Sequence, residues 1–322
     1  MKLNIHLEPS IWSQPFLDVI YNCGLDIVEA VKADVLVRGA AEISAADLES
    51  GRKIIALEKT SGGNIAFRDI LKHPSVIRYV KSFNYTDWRF HNLPCVDGRL
   101  FTRELDEEQN FRHPESFITV EDYKKITLGW SILHYSGLKH LLSLDTDELF
   151  ETDNNRPVDV FFAGSLEYDN INGKRKSADL IAKHRKKCFE ALRSIKDCEV
   201  VLIDGKKLDL ETYNQVLCHS KVVVSPWGWG EPCFRDFEAL LAGCTLIKPR
   251  TDFVKSACGV FQNSHCIWTE PDFSNLVNDV RLALANFSAS RIKRSRSKVA
   301  MEYYGKNISQ IIRQNLCLES FN

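Results

Sequence analysis

No stretch of this 322-residue chain approaches the roughly 20 consecutive apolar residues that span a bilayer. Its opening, MKLNIHLEPSIW, holds no apolar core of signal-peptide length. A cytosolic protein is therefore expected. Neither sign of charge is in excess, since 42 Lys and Arg face 43 Asp and Glu for a formal charge of -1. No global field then draws nucleic acid, and any anion site must be local. The ten cysteines (Cys23, Cys95, Cys188, Cys198, Cys218, Cys233, Cys244, Cys258, Cys266 and Cys317) include no CxxC pair. Scattered spacing of this kind fits reduced, buried thiols better than a zinc site or a disulfide framework. No repeat of fixed period is present either, which excludes a solenoid or an array.

What is present is alternation. A chain of this length divides most simply into two domains of about 100 to 200 residues each. In the first half, Lys2 to Leu7, Ala33 to Val37, Lys53 to Leu57 and Val76 to Lys81 read as strands. Ile11 to Cys23, Ser44 to Glu49 and Phe67 to Lys72 read as helices between them, as in a parallel sheet with crossover helices. Thr86 to Asp122 loses periodicity and reads as an irregular lobe, and Tyr123 to Tyr135 and Leu138 to Leu142 as helical or irregular. Asp145 to Pro157 (DTDELFETDNNRP) is polar, acidic and closed by proline, which marks a hinge. The domains are thus expected over 1–150 and 151–322.

The second half alternates without interruption. Strands are expected at Val158 to Ala163, Glu199 to Ile203, Lys221 to Ser225, Cys244 to Lys248 and Cys266 to Thr269. Helices are expected at Ala178 to Ile195, Leu210 to His219, Pro232 to Ala242, Asp272 to Asn286 and Ala289 to Leu316, the last long and basic. The fold class is α/β, with two Rossmann-like doubly wound domains facing a cleft.

Ser225 to Pro249 carries the chemistry. A buried strand delivers a glycine-rich loop, SPWGWGEP, to a helix start. Gly228 and Gly230 let backbone approach a ligand, Pro232 suits a first helical turn, and the free N–H groups there attract phosphate. Arg235 and Glu238 lie three apart on one helix face, with Phe234, Phe237 and Leu241 as the apolar stripe. A guanidinium fork matches a diphosphate, and a carboxylate accepts from a sugar diol. The bland alternative is a surface ion pair beside a tight turn. The coincidence of loop, helix start, charge pair and strand end favours a ligand site.

The pattern G-x-G-E-P-x-x-R-x-x-E-A-L-x-x-G-C from Gly228 to Cys244 resembles the donor-site signature of GT-B glycosyltransferases. The nearest likenesses are exostosin-like and CgeB/YkvP-like enzymes, over roughly Val158 to Leu284. The resemblance implies a nucleotide-sugar donor bound mainly by the second domain and an acceptor by the first, with the terminal helix crossing back. It assigns the donor ribose to Glu238, phosphate to Arg235, and the neighbourhood of sugar and diphosphate to Gly230 and Glu231. Glu231 and Glu238 stand one residue closer than the paired glutamates of group 1 transferases. A displacement by one position turns Glu231 about 100° around the helix, so it reads equally as a helix-start anion or as a solvent-facing side chain.

Other residues carry two readings each. Gly164 and Ser165 end a strand in a loop that the resemblance brings near the diphosphate, and a plain turn also accounts for them. Arg185, beside His184, is a second phosphate contact or part of a solvated basic face with Lys183, Lys186 and Lys187. Lys248 faces the cleft or an exposed corner. Trp227 and Trp229 stack on a ring of the ligand or pack between domains. Glu58, then His6, are candidates for the base that an inverting transferase needs, against ordinary solvated loop residues. Asp145-Thr146-Asp147 has the letters of a metal motif but reads as hinge, so no metal and no cofactor are expected beyond the nucleotide-sugar co-substrate. The basic run with Arg291, Lys293, Arg294, Arg296 and Lys298 solubilises the last helix or rests on an anionic membrane, at about 1 kcal/mol per residue. The expected activity is glycosyl transfer to a glycan or glycolipid in surface polysaccharide or lipopolysaccharide synthesis. A nucleotide-sugar epimerase or hydrolase, or a non-catalytic two-lobed binding protein, are the alternatives.

Overall fold

The computed structural model describes residues 2–8, 17, 20, 24–58, 60, 62–129, 138, 141, 156–168, 176–205, 208–256, 266–288 and 316. The first domain is built on a five-stranded parallel sheet of β1 (Leu3–His6), β2 (Val35–Gly39), β3 (Lys53–Leu57), β4 (Val76–Lys81) and β6 (Ile126–Leu128), in that spatial order. Both faces are covered, as the all-buried VLVRG of β2 requires. Short helices α1 (Ala45–Glu49), α2 (Arg68–Lys72) and α3 (Val120–Lys124) make the crossings. Capping boxes at Ser44/Asp47 and Thr119/Asp122 fix the starts of α1 and α3.

The second domain has five parallel strands in the order β12-β10-β9-β7-β8. These are β7 (Val158–Gly164), β8 (Val200–Asp204), β9 (Ser220–Val224), β10 (Thr245–Pro249) and β12 (Cys266–Thr269). Helices α4 (Lys176–Arg193), α5 (Leu210–Cys218), α6 (Phe234–Leu241) and α7 (Leu276–Ala285) connect or follow them. Side chains alternate by the period of two that a strand imposes. Phe161, Ala163, Val223 and Leu246 enter one apolar cluster, while Val160, Phe162, Val222, Val224 and Ile247 enter another on the opposite face. The chain moves from β7 outward to β8, then returns past β7 to β9 and continues to β10 and β12. The winding reverses between β7 and β9, and ligands of open α/β sheets bind at such a reversal. In the first sheet the described strands follow chain order without reversal.

Both halves are therefore Rossmann-like α/β domains, and they are closely joined. β5 (Phe83–Tyr85) of the first pairs antiparallel with β11 (Val254–Ser256) of the second, Tyr85 opposite Val254. Phe83 packs on Phe237 at 6.0 Å between ring centroids. One apolar cluster runs from Ile5, Val37 and Leu57 through Phe83 and Tyr85 to Phe161, Val223 and Phe237.

Sequence periodicity locates β1–β4 and the elements of the second domain to within a few residues, but misses β5, β6 and β11. Each of these spans three residues, too short to display a period. Thr86 to Asp122 is irregular as expected, apart from 3-10 turns at Trp88–Asn92 and Leu100–Glu104 and the start of α3. Of the expected helix Ile11 to Cys23, Leu17 and Ile20 are described, both helical and buried. Leu316 is likewise helical and buried. The rest of the expected crossing helix, the basic run 291–298, the hinge with Asp145-Thr146-Asp147, and the boundary at 150 lie outside the described residues. No helix among the described residues is long and apolar enough to cross a membrane.

Candidate functional site

At the reversal of the second sheet, β7 ends at Gly164 and β9 runs into Ser225-Pro226-Trp227-Gly228. Two arginines meet in the crevice between these ends. Arg185 comes from α4, with 8% of its surface exposed, and Arg235 from the first turn of α6. A β-carbon on Gly164 would stand 3.2 Å from Arg235 Nη2 and 3.8 Å from Arg185 Nη1. One on Gly228 would stand 3.0 Å from Arg185 Nη2. Both glycines let a guanidinium lie close to the backbone, and a larger residue at either place would press on it.

Neutral oxygens meet the Arg185 guanidinium. Its Nε donates to the Trp227 carbonyl at 3.4 Å, and its Nη1 to the Ser165 carbonyl at 3.3 Å and to the Tyr168 hydroxyl. Burial and the adjacent Arg235 charge hold the Arg185 pKa below the ordinary arginine value. Arg235 lies over the Phe162 ring at 5.7 Å. Its Nε and Nη1 have neither solvent nor a hydrogen-bond partner. Two desolvated cations, one with unsatisfied donors, are costly to keep side by side. An anion with several oxygens would satisfy both.

The head of α6 is arranged otherwise than the sequence suggests. The helix begins at Phe234 rather than Pro232, and Asp236 occupies its N-terminal end, accepting the Cys233 N–H at 2.9 Å. Asp236 also accepts the Ser225 hydroxyl at 2.6 Å and pairs with Lys248 at 3.1 Å, both ion-pair partners fully buried. At the helix start the Cys233 N–H is therefore already taken by the chain's own carboxylate. Lys248 neither faces the cleft nor sits at an exposed corner. Burial works against its charge, yet Asp236 holds its pKa above the ordinary lysine value. Asp236 escaped sequence reasoning, although an acid in a first helical turn is a recognisable cap.

Glu238 is half-buried and accepts the Tyr213 hydroxyl at 2.6 Å. Burial raises its pKa. Trp227 is fully buried, stacked on His184 at 5.1 Å and tilted against Phe101 at 5.3 Å. Its indole N–H donates to Thr251 at 3.1 Å. It belongs to the packing between the domains, not to a ligand platform. His184 accepts the Trp227 N–H at 3.3 Å, and burial with the nearby Lys248 and Arg185 charges lowers its pKa to about 3. Trp229 is half-buried, edge-on to Tyr168 at 5.3 Å, with Arg99 of the first domain over its ring at 5.5 Å. Tyr168 and Arg99 gave no motif to find.

Glu231 is neither a helix-start anion nor solvent-facing. It is 1% exposed and accepts the Gly63 N–H at 3.0 Å and the Tyr85 hydroxyl at 3.1 Å, both from the first domain. Gly230 lies against Gly62, whose β-carbon would stand 3.4 Å from the Gly230 Cα. Glu58 is buried. It pairs with Lys81 at 2.5 Å and accepts the Tyr79 hydroxyl at 2.5 Å, the Ala66 N–H at 3.2 Å and the Thr60 hydroxyl. With its oxygens so engaged, it ties Thr60 and Ala66 to β4 and is not poised as a base. His6 is exposed at the end of β1, apart from the arginine pair. The structure thus gathers Gly164, Ser165, Arg185, Gly228 and Arg235, with Trp229 at the rim.

An open groove of about 820 Å³ lies elsewhere, between Glu104–Glu108 of the first domain and α4. Ion pairs Lys176–Asp106 at 2.9 Å and Lys187–Glu107 at 3.4 Å bridge the domains there. Its walls do not include Arg185 or Arg235, and their carboxylates outnumber their lysines, which does not suit an anion.

No family model and no curated protein matches the chain. Among solved structures it is similar to MurG from Acinetobacter baumannii, at 8% identity and a TM-score of 0.42 over 94% of this chain and 77% of that one. A glycosyltransferase from Rickettsia africae is 10% identical, with a TM-score of 0.45 over 98% of both chains. UDP-GlcNAc 2-epimerase from Methanocaldococcus jannaschii, in complex with UDP-GlcNAc and UDP, is 12% identical, with a TM-score of 0.42 over 98% of this chain and 99% of that one. At such values they name likenesses only, and the fold rests on the two sheets themselves.

Proposed function

We propose that the chain transfers a sugar from a nucleoside-diphosphate-sugar donor to a hydroxyl of a glycan or glycolipid, with the donor diphosphate held between Arg185 and Arg235. One observation carries this reading: two guanidiniums, Arg185 buried and donating to neutral oxygens and Arg235 partly buried with Nε and Nη1 unpartnered, converge where the sheet reverses its winding. In the transfer, the acceptor oxygen bonds to the anomeric carbon as the bond from that carbon to the diphosphate oxygen breaks. The acceptor proton passes to a base or to the departing group. Charge grows on the diphosphate, and two guanidiniums held in place by the fold stabilise it without reorganisation. Glu238, steadied by Tyr213, accepts from a hydroxyl of the donor. The acceptor class, a growing surface polysaccharide or lipopolysaccharide, belongs to the same reading and follows from the sequence resemblance, and a membrane contact through the basic run follows from its charge.

The test is a thermal-shift series of nucleoside diphosphates and monophosphates, followed by product analysis with and without acceptor. A diphosphate at a hundred times its Kd stabilises by about 2.7 kcal/mol. Diphosphates are expected to shift the midpoint more than monophosphates. Arg235→Ala is expected to fold while losing on the order of 10- to 100-fold in diphosphate affinity, from loss of charge-assisted hydrogen bonds. Equal shifts by both nucleotide classes, or an unaltered variant, removes the pair from donor binding. An epimerised or hydrolysed sugar formed without acceptor replaces transfer by those activities at the same site.

A further inference from the structure

The loop that walls the arginine pair also grips the other domain. Gly228 touches Arg185, while three residues on Glu231 reaches into the first domain. The contacts it makes there are closely fitted. Gly62 has φ +105° and a β-carbon there would stand 2.8 Å from Glu231 Oε2; a β-carbon on Gly63 would stand 2.3 Å from the Tyr85 ring. A side chain at either position has no room. Tyr85 is itself fixed at both ends, its backbone in the β5–β11 pairing and its hydroxyl accepting the Leu100 N–H at 3.3 Å. Burial and the neighbouring Glu231 charge raise the phenol pKa well above its ordinary value, so it stays a donor. Two residues before Glu231 the loop makes a further contact with the first domain, where the Trp229 carbonyl accepts Arg99 Nε at 2.9 Å.

A buried carboxylate held by one N–H and one O–H, with no ion pair among the described residues, costs more than an apolar side chain would in its place. Its location gives the reason for keeping it. Four residues beyond Glu231, the chain places Arg235 in the crevice, so the position of the carboxylate sets the position of both walls of the anion site. We propose that Glu231 is a positioning residue that ties the anion loop to the first domain, so that diphosphate binding and the packing of the two domains reinforce one another. The inference rests on the reading of Arg185 and Arg235 as the diphosphate site. Coupling of this kind is reciprocal: the factor by which domain packing tightens the anion is the factor by which the anion tightens the packing.

Inorganic pyrophosphate is the probe, titrated calorimetrically into the full chain as wild type, Glu231→Ala, Tyr85→Phe and Arg235→Ala, with amide exchange at Gly63 followed in parallel. Glu231→Ala is expected to bind pyrophosphate about tenfold more weakly, and Tyr85→Phe about threefold, because the Gly63 N–H still holds the carboxylate. In the wild type, pyrophosphate slows exchange of the Gly63 amide; in Glu231→Ala that slowing disappears. Unaltered affinity in Glu231→Ala, with affinity lost in Arg235→Ala, overturns the tie and leaves the diphosphate site standing. Absence of pyrophosphate binding to the wild type overturns both. Should Glu231→Ala not fold, Tyr85→Phe decides alone: weakened binding with less ligand-induced protection of Gly63 supports the tie, and wild-type behaviour on both counts overturns it.

Discussion

The two domains share a device and differ in one respect. Each sets a buried lysine–carboxylate pair beside the ends of its strands, Lys81 with Glu58 in the first and Lys248 with Asp236 in the second. In both, every charge is matched. The second domain adds Arg185 and Arg235, side by side and without an ion pair among the described residues: Arg185 donates to carbonyls and a phenol, and Arg235 lies over an aromatic ring with the Glu238 and Asp236 charges nearby. It does so where its winding reverses, a feature absent from the described strands of the first sheet. Paired buried charge holds a scaffold together, whereas guanidiniums that keep donors free of ion pairs leave hydrogen bonds for a ligand to supply.

The sharpest way to break this comparison is to unpair each lysine. Glu58→Gln and Asp236→Asn both leave a buried ammonium without its counter-charge, and each is expected to cost about 3–5 kcal/mol in urea unfolding. Their effects on pyrophosphate affinity should part. Glu58 braces its own domain's loop and its loss should leave affinity unchanged. Asp236 fixes Ser225 and the head of α6, so its loss should release Arg235 and weaken binding at least tenfold. Equal behaviour of the two variants would mean that the pairs are interchangeable scaffolding and that the site does not depend on the head of α6.

A smaller effect separates the halves by acid. His91 and His184 are both buried, one in each domain, and burial lowers both pKa values, that of His184 to about 3. A histidine depressed from about 6.5 contributes stability that is present above pH 6.5 and lost as pH falls toward the folded-state value. Between pH 7 and pH 4 the loss from His184 is about 3 kcal/mol. His184→Gln should remove that share of the pH dependence while the share of His91 remains. An unchanged slope in the variant would place the acid sensitivity of the second domain elsewhere.

How much of this was legible beforehand follows the length over which a physical signal extends. The strands of both domains announce themselves by β-branched apolar runs such as VVV and VFFA. The β7–Gly164 and β9–Gly228 ends and Arg235 were readable because loop, glycine and charge fall within one segment. Arg185 was readable only as an even choice, since its partners Trp227 and Ser165 lie 42 and 20 residues away. Glu231 was misplaced for the same reason at greater range: its partners lie 168 and 146 residues away, and local spacing carries no trace of them. For Trp227 the structure takes the packing alternative, while for Lys248 and Glu58 it takes neither of the two readings. Each is a polar or amphipathic residue at a strand end, a place where sequence position suggests a ligand and the structure shows burial with an internal partner.

The gentlest test concerns two glycines in corresponding places, Gly39 ending β2 and Gly164 ending β7. Neither has a positive φ, so alanine strains neither backbone and only the space decides. At Gly39 a β-carbon would meet the carboxyl end of Glu42 at 2.6 Å, a half-buried side chain whose far end can swing away. Gly39→Ala is therefore expected to change stability by less than about 1 kcal/mol and pyrophosphate affinity not at all. At Gly164 the same carbon would stand 3.2 Å from Arg235 Nη2 and 3.5 Å from Phe162 Cζ. The guanidinium must shift by a few tenths of an ångström, in a crevice whose other wall is Arg185. Such a shift misaligns donors from an incoming oxygen without unfolding anything, and about tenfold in affinity, or 1.4 kcal/mol, is the expected loss. Wild-type affinity in Gly164→Ala would show that the arginine head can move freely, and with that the contrast between a fixed anion site and an ordinary strand end would disappear.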